Sequence, residues 1–164
     1  AKCGRRERAS SPSGGPAPLQ KTESWLVRDS DTARKKIEDA LKMQSVGFDG
    51  AGNKNVQRSP NGVPQSWNLQ SLDPRRAASN QATMDKIAEI LHEHPELHCD
   101  CHGRTDADAT KKADPVLARY FGVTEMQAIQ DLLAENRANA CRDALIQRGV
   151  EAERLTVSFK GCGG

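Results

Sequence analysis

Six residues with metal-binding or nucleophilic side chains, His92, His94, His98, Cys99, Cys101 and His102, crowd into eleven positions. Imidazole and thiolate are the usual donor set for zinc, which needs four of them converging on one point. Here the types alternate: Leu97, Cys99 and Cys101 interleave with His98, Asp100 and His102. In a strand such a pattern sends the two sets to opposite faces. The expectation is therefore two cysteines buried as small hydrophobes and histidines facing solvent, with no metal, against a zinc site that would have to recruit ligands from elsewhere. No GxGxxG, P-loop, GxSxG or HExxH pattern occurs, so the sequence offers no phosphate cradle, nucleophile elbow or metalloprotease helix. No nucleophile and base stand at a motif spacing either, and the chain is expected to be neither an enzyme nor a cofactor carrier. Its five cysteines are an odd number, which excludes a full disulfide framework. Cys3 and Cys162, in glycine-containing segments near opposite ends, could pair with each other or with a partner, or remain free thiols.

The elements that would position these groups lie in the second part of the chain. Trp67 and Leu69 alternate with Asn68 and Gln70, a short strand signal. Asp73 and Pro74 offer an N-cap and a first helical position, followed by an apolar stripe of Ala77, Met84, Ile87, Ala88 and Leu91 that stops before Pro95. The Leu97 to Cys101 alternation predicts a second strand. Thr124 and Gln127 have capping-box spacing at the head of a long helix, and Gly149 stands where it should end. Leu155, Val157 and Phe159 alternate with Thr156, Ser158 and Lys160, which predicts a last strand. The order strand, helix, strand, helix, strand points to an α+β domain, a mixed sheet with two helices on one face.

Ahead of it the composition changes. Residues 10–18 form a Ser/Pro/Gly stretch with almost no apolar content, which cannot offset the entropy of ordering a backbone. Residues 31–43 carry Ala33, Ile37, Ala40 and Leu41 at helical spacing, with Arg34, Lys35 and Lys36 beside them. That short helix could lie on an anionic membrane surface or pack onto protein. Between Gly47 and Pro64 lie breakers throughout. The expected organisation is an extended low-complexity arm over 1–65 and a compact domain over 66–164. With 24 basic and 22 acidic residues interspersed, net charge +2, nothing argues for nucleic acid as a partner, and no apolar run approaches a membrane span. The start at Ala1 suggests a processed chain.

The segment Gly103-Arg104-Thr105-Asp106 after a strand, then Leu133-Ala134-Glu135-Asn136-Arg137-Ala138 in a helix, then Gly149-Val150 and Arg154-Leu155, resembles the OmpA-like family over residues 67–160. The resemblance implies that layered domain and, as ligand, the diaminopimelate side chain of a peptidoglycan stem peptide. By position Asp106 matches the family's aspartate and Arg137 its arginine, with Thr105 and Gln130 beside them. Gln130 stands where the family has Asn, Arg104 where it has His and Ala134 where it has Ser. A ligand that ends in both an ammonium and a carboxylate needs one acceptor and one forked donor side by side. The alternative is an ion pair that merely pins helix to sheet. An insertion at about 107–123 separates the two halves of the clamp. Two functions follow as expectations. One is a non-catalytic accessory subunit of a membrane-associated complex in a chloroplast or mitochondrion, its N-terminal arm binding partner proteins. The other is a periplasmic module that anchors an envelope component to peptidoglycan.

Overall fold

The computed structural model describes residues 31–50, 61–105, 115 and 117–161, and the chain divides into two units, Ala1–Met43 and Gln44–Gly164. In the first unit residues 31–42 form helix α1, laced by exposed i,i+4 ion pairs from Arg34 to Glu38 (3.2 Å) and Lys35 to Asp39 (3.4 Å). Exposed pairs of this kind contribute about 0.3–0.5 kcal/mol each. No described helix is long and apolar enough to cross a membrane.

The second unit is α+β. Helix α2 (Pro74–Glu93) begins where the sequence places it: the Asp73 carboxylate accepts the Arg75 N–H at 3.0 Å, and Pro74 fills a position that has no helical acceptor to lose. Its stripe of Met84, Ile87, Ala88 and Leu91 is buried. Strand β1 (Cys99–Arg104) runs parallel to β2 (Leu155–Lys160), with Cys99 opposite Leu155 and Arg104 opposite Lys160. Between them α3 (Met126–Gln147) packs on both strands. It stops in a Schellman turn: Gly149, at φ 89°, donates to the Ile146 carbonyl (2.9 Å) and Val150 to that of Leu145 (3.1 Å). Only glycine takes that φ without strain, and the buried pair Val150 and Leu145 closes the turn from the apolar side.

The open end of α2 is closed from a distance. Arg154, 9% exposed, donates from Nη2 to the carbonyls of Leu91 (2.7 Å) and His94 (2.8 Å) and from Nε to that of Leu97 (3.0 Å). The first two are carbonyls that the end of a helix leaves without an intrahelical partner, and a guanidinium there also meets the negative end of the dipole. The same bonds fix the start of β2 beside the chain entering β1. Arg154→Met, which keeps the apolar stem, is expected to lower unfolding free energy by about 2–3 kcal/mol, because the buried Leu91 and Leu97 carbonyls lose this donor while the His94 carbonyl keeps the Leu97 N–H. Urea denaturation that gave a loss under about 1 kcal/mol would show that water replaces the guanidinium without cost.

Three expectations are corrected. No strand forms at Trp67 to Leu69: Gln65–Trp67 is a turn of 3-10 helix after Pro64, and Asn68 bonds locally, accepting the Gln70 N–H at 3.0 Å and donating to Asn61 at 2.6 Å. Such side-chain bonds compete with a ladder. The sheet formed by the described strands is consequently parallel rather than mixed. Helix α3 starts after Glu125, not Thr124, with no side-chain cap, because Gln127 reaches forward to Asp131 (2.9 Å) instead of back. Phe159 lies in the strand that the alternation predicts but is 42% exposed, since alternation assigns a face and not what covers it. Within the segment expected as an insertion, residues 117–121 are helical, and Leu117 is buried against Ile129 and Leu133.

Candidate functional site

The candidate site is built where β1 meets α3. Gly103 lies against the backbone of α3 so closely that a Cβ there would stand 1.8 Å from the Ala134 carbonyl oxygen and 3.1 Å from the Ala138 Cβ. Glycine on the strand and alanines on the helix thus let the two backbones meet. That approach brings Arg137, one residue before Ala138, to the end of β1. Its Nη1 donates to the Arg104 carbonyl at 3.1 Å, and its Nε donates to the Ser66 carbonyl at 2.9 Å. The guanidinium carbon lies 5.3 Å from the centroid of the Phe48 ring, within cation–π range. Thr105 is half-buried at the strand end, and Gln130 is buried two turns before Arg137 on α3. Asp106, Cys3 and Cys162 lie outside the described residues.

A carboxylate is gripped best by two parallel N–H groups of one guanidinium edge. On Arg137 the edge that includes Nε already carries the Ser66 carbonyl, and Nη1 is at the Arg104 carbonyl. Side-on binding of a ligand carboxylate would have to displace Ser66. Among the described residues the arginine binds two stretches of its own chain, the turn before α2 and the end of β1.

No family model and no curated protein matches the sequence. The site is therefore read from its geometry.

Next to Arg137 is a centre that sequence reasoning missed. Asp49, 6% exposed, accepts from Ser71 Oγ and Gln65 Nε2 (both 2.6 Å), from Arg76 Nη1 (2.7 Å) and from the Leu72 N–H (2.8 Å). Burial alone would push its pKa up, but the bonds from Ser71, the Leu72 amide, Gln65 and Arg76 outweigh it and hold the carboxyl below its ordinary value. Beside it Asn80 of α2 treats Gly47 like a strand partner, accepting its N–H at 3.0 Å and donating to its carbonyl at 2.8 Å. The pair clamps the Gly47 to Asp49 stretch, and with it Phe48, over α2 and the 65–72 turn. A Gly-Phe-Asp-Gly run among breakers was the one local hint.

The histidine and cysteine cluster disperses. His92 Nε2 bonds the Arg148 carbonyl at 2.9 Å at the foot of α3, while His102 Nδ1 bonds Ser158 Oγ at 2.8 Å on the outer face of the sheet. Among the described residues no group of three or more His, Cys, Asp or Glu is arranged to hold a metal ion. Cys99 and Cys101 point to α3, where Cys141 joins them. The hydrogen bond between Cys99 and Cys101 lowers the pKa of Cys99 and raises that of Cys101, and burial pushes Cys141 up to about 12. On the outer face Asp100, His102 and Ser158 invite comparison with a catalytic triad, but the connectivity is wrong. Ser158 donates to Asp100 Oδ2 at 2.5 Å, so its proton is held by the carboxylate, and the imidazole is not placed between the two. A triad needs the histidine in the middle to take the serine proton and the carboxylate behind it to orient the ring.

Proposed function

We propose that the chain is a non-catalytic structural subunit of a larger, membrane-associated assembly, with an OmpA-like domain remodelled so that its arginine holds its own chain. The observation that carries this reading is the state of Arg137, with Nε on the Ser66 carbonyl, Nη1 on the Arg104 carbonyl and the guanidinium carbon over the Phe48 ring. Where the resemblance puts a stem peptide, Ser66 in the segment leading into α2 and Arg104 at the end of β1 supply the acceptors. Arg137 then fixes Phe48 and Ser66 to the α/β layers, and residues 1–43 are the part of the chain that engages partner proteins. A chloroplast or mitochondrial complex suits this use, since an organelle subunit keeps a binding fold without murein to bind.

The second reading, a periplasmic anchor on peptidoglycan through Asp106 and Arg137, draws on one observation: Arg137 reaches the strand end that leads into Thr105 and Asp106. Titrating the full chain with a diaminopimelate-containing stem peptide separates the two. No saturable binding by the folded protein is expected, together with sedimentation of the detergent-solubilised native protein as a particle far larger than the chain alone. Saturable binding abolished by both Asp106→Ala and Arg137→Ala would overturn the scaffold reading, as would sedimentation as a monomer.

A further inference from the structure

One open groove, about 410 Å³ in volume, lies on the second unit between α3 and the 61–70 segment. This volume falls in the range of sites that bind small ligands or short segments. Its α3 wall is a stripe of Asn136, Asn139, Asp143 and Gln147, and its opposite wall presents Val63, Trp67 and Leu69. The indole is braced from behind, stacked on Phe121 (5.6 Å, 17°) and edge-on to Tyr120 (5.5 Å), so that wall is rigid. Arg148, at one end of the groove, is spent on Asp85 (2.8 Å), Gln81 (2.6 Å) and the Ala144 carbonyl (3.0 Å).

The carboxamides of Asn136, Asn139 and Gln147 have no such engagement with any described residue. Asn136 and Asn139 are half-buried, so part of the water they would otherwise hold is already excluded. A carboxamide offers a donor pair and an acceptor in one plane, the complement of a peptide group. Spacing sharpens the match. The carboxamides of Asn139 and Gln147 stand eight residues apart, about 12 Å along the helix and close to two repeats of an extended chain, with Asp143 midway between them. An extended chain repeats its outward-facing amide every second residue, about 6.6–6.8 Å apart. From Asn136 to Gln147 the stripe runs about 16 Å, the length of about five extended residues. Asp143 adds a carboxylate whose nearest cation, Arg142, is 3.7 Å away in a solvent-exposed pair, which leaves an acidic point in an otherwise neutral wall.

We propose that this groove is a peptide-binding site that takes an extended segment of a partner protein, its backbone read by Asn136, Asn139 and Gln147 and a basic side chain by Asp143. The inference extends the subunit reading above, but it does not use Arg137 and is tested apart from it. A library of synthetic heptapeptides is screened against the full chain and against the Asn136→Leu/Asn139→Leu double variant, and the best peptides are titrated by fluorescence anisotropy. Expected are peptides with Lys or Arg and no acidic residue, bound at least tenfold more weakly by the double variant and equally weakened by N-methylation of two alternate peptide amides. Asp143→Asn should remove the preference for a basic residue and leave the backbone dependence. Retention of the wild-type melting temperature by each variant excludes a folding defect as the cause. The proposal is overturned if no peptide is enriched over the double variant, if N-methylation leaves binding intact, or if a neutral oligosaccharide panel binds with the same dependence on Asn136 and Asn139 while peptides do not. A peptide site without a large native particle would sink the subunit reading alone; the large particle without peptide binding would sink the groove alone.

Discussion

Gly103→Ala is expected to cost at least about 3 kcal/mol of unfolding free energy and to leave a fraction of the chain unfolded at 25 °C. The added Cβ would stand 1.8 Å from the Ala134 carbonyl oxygen and 2.8 Å from its carbon, so the obstacle is helix backbone, which no rotamer change can move. Relief requires β1 to lift off α3, and that lift separates the buried Cys101 from the helix. Overpacking a filled contact costs about 1–3 kcal/mol when side chains can yield and more when they cannot. Gly122→Ala is the matched control. Nothing lies within 4 Å of its Cβ position, and only its φ of 71° resists substitution, at about 1–2 kcal/mol. Urea midpoints for the two variants should therefore rank Gly103→Ala well below Gly122→Ala. Equal midpoints would mean that the strand is free to shift, and the placement of Arg137 at the Arg104 carbonyl would lose its cause. In the expected case, truncating Ala138 to Gly in the Gly103→Ala background rescues little, because it removes the 3.1 Å contact and leaves the carbonyl in place.

Gly103 also shows what could and could not be read beforehand. Its position in a Gly-Arg-Thr-Asp run after an alternating stretch marked the end of a strand, and the alternation put Cys99, Cys101 and Gly103 on one face. The elements with their own local signals were legible: Asp73 and Pro74 open α2, the 84–91 stripe gives its buried face, and Gly149 with Val150 ends α3. What failed were the places where a distant partner overrides a local pattern. Trp67 and Leu69 alternate like a strand, yet Trp67 turns in to Phe121 and Asn68 spends its amide on Asn61. Phe159 has the strand period but is exposed among the described residues. Thr124 and Gln127 keep capping-box spacing, but Gln127 is drawn forward by Asp131, whose carboxylate also accepts the Gly161 N–H at 3.1 Å. Arg137 was legible from its place in the Leu133 to Ala138 run that resembles the family's helix motif. Its bond to Ser66 was not, because the glycine-rich stretch before Pro64 reads as irregular chain. That composition says where regular structure is missing; it does not say that Asp49 within it is buried and bound to residues 71, 72 and 76.

Replacing Asp49 tests that hidden centre. Asp49→Ala is expected to cost about 2–4 kcal/mol at pH 7, because buried donors lose their acceptor. The loss has two parts of different size. Arg76 has 41% of its side chain exposed and regains water when the carboxylate goes, so the ion pair itself contributes little. Ser71 and Gln65 are buried, and with the Leu72 N–H they lose an acceptor that water replaces poorly. Asp49→Asn should fall between alanine and wild type, since it keeps the volume and one acceptor oxygen but turns an N–H₂ toward donors. The pH dependence has a definite sign. Because the folded carboxyl titrates below its ordinary value of 3.8, the unfolded chain binds more protons than the folded one in the interval between the two pKa values, and stability rises with pH there. The contribution of Asp49 is complete above about pH 4 and is lost as the pH falls through the lowered folded value. Wild type should therefore lose stability more steeply than Asp49→Asn below pH 4, and the two curves should run parallel between pH 5 and 7. Parallel curves through the acid range as well would show that the carboxyl titrates alike in both states, and that hydrogen bonds to Ser71 and Gln65 only offset the cost of burying it. The segment that carries Phe48 to Arg137 would then be held by Asn80 and Gly47 rather than by charge.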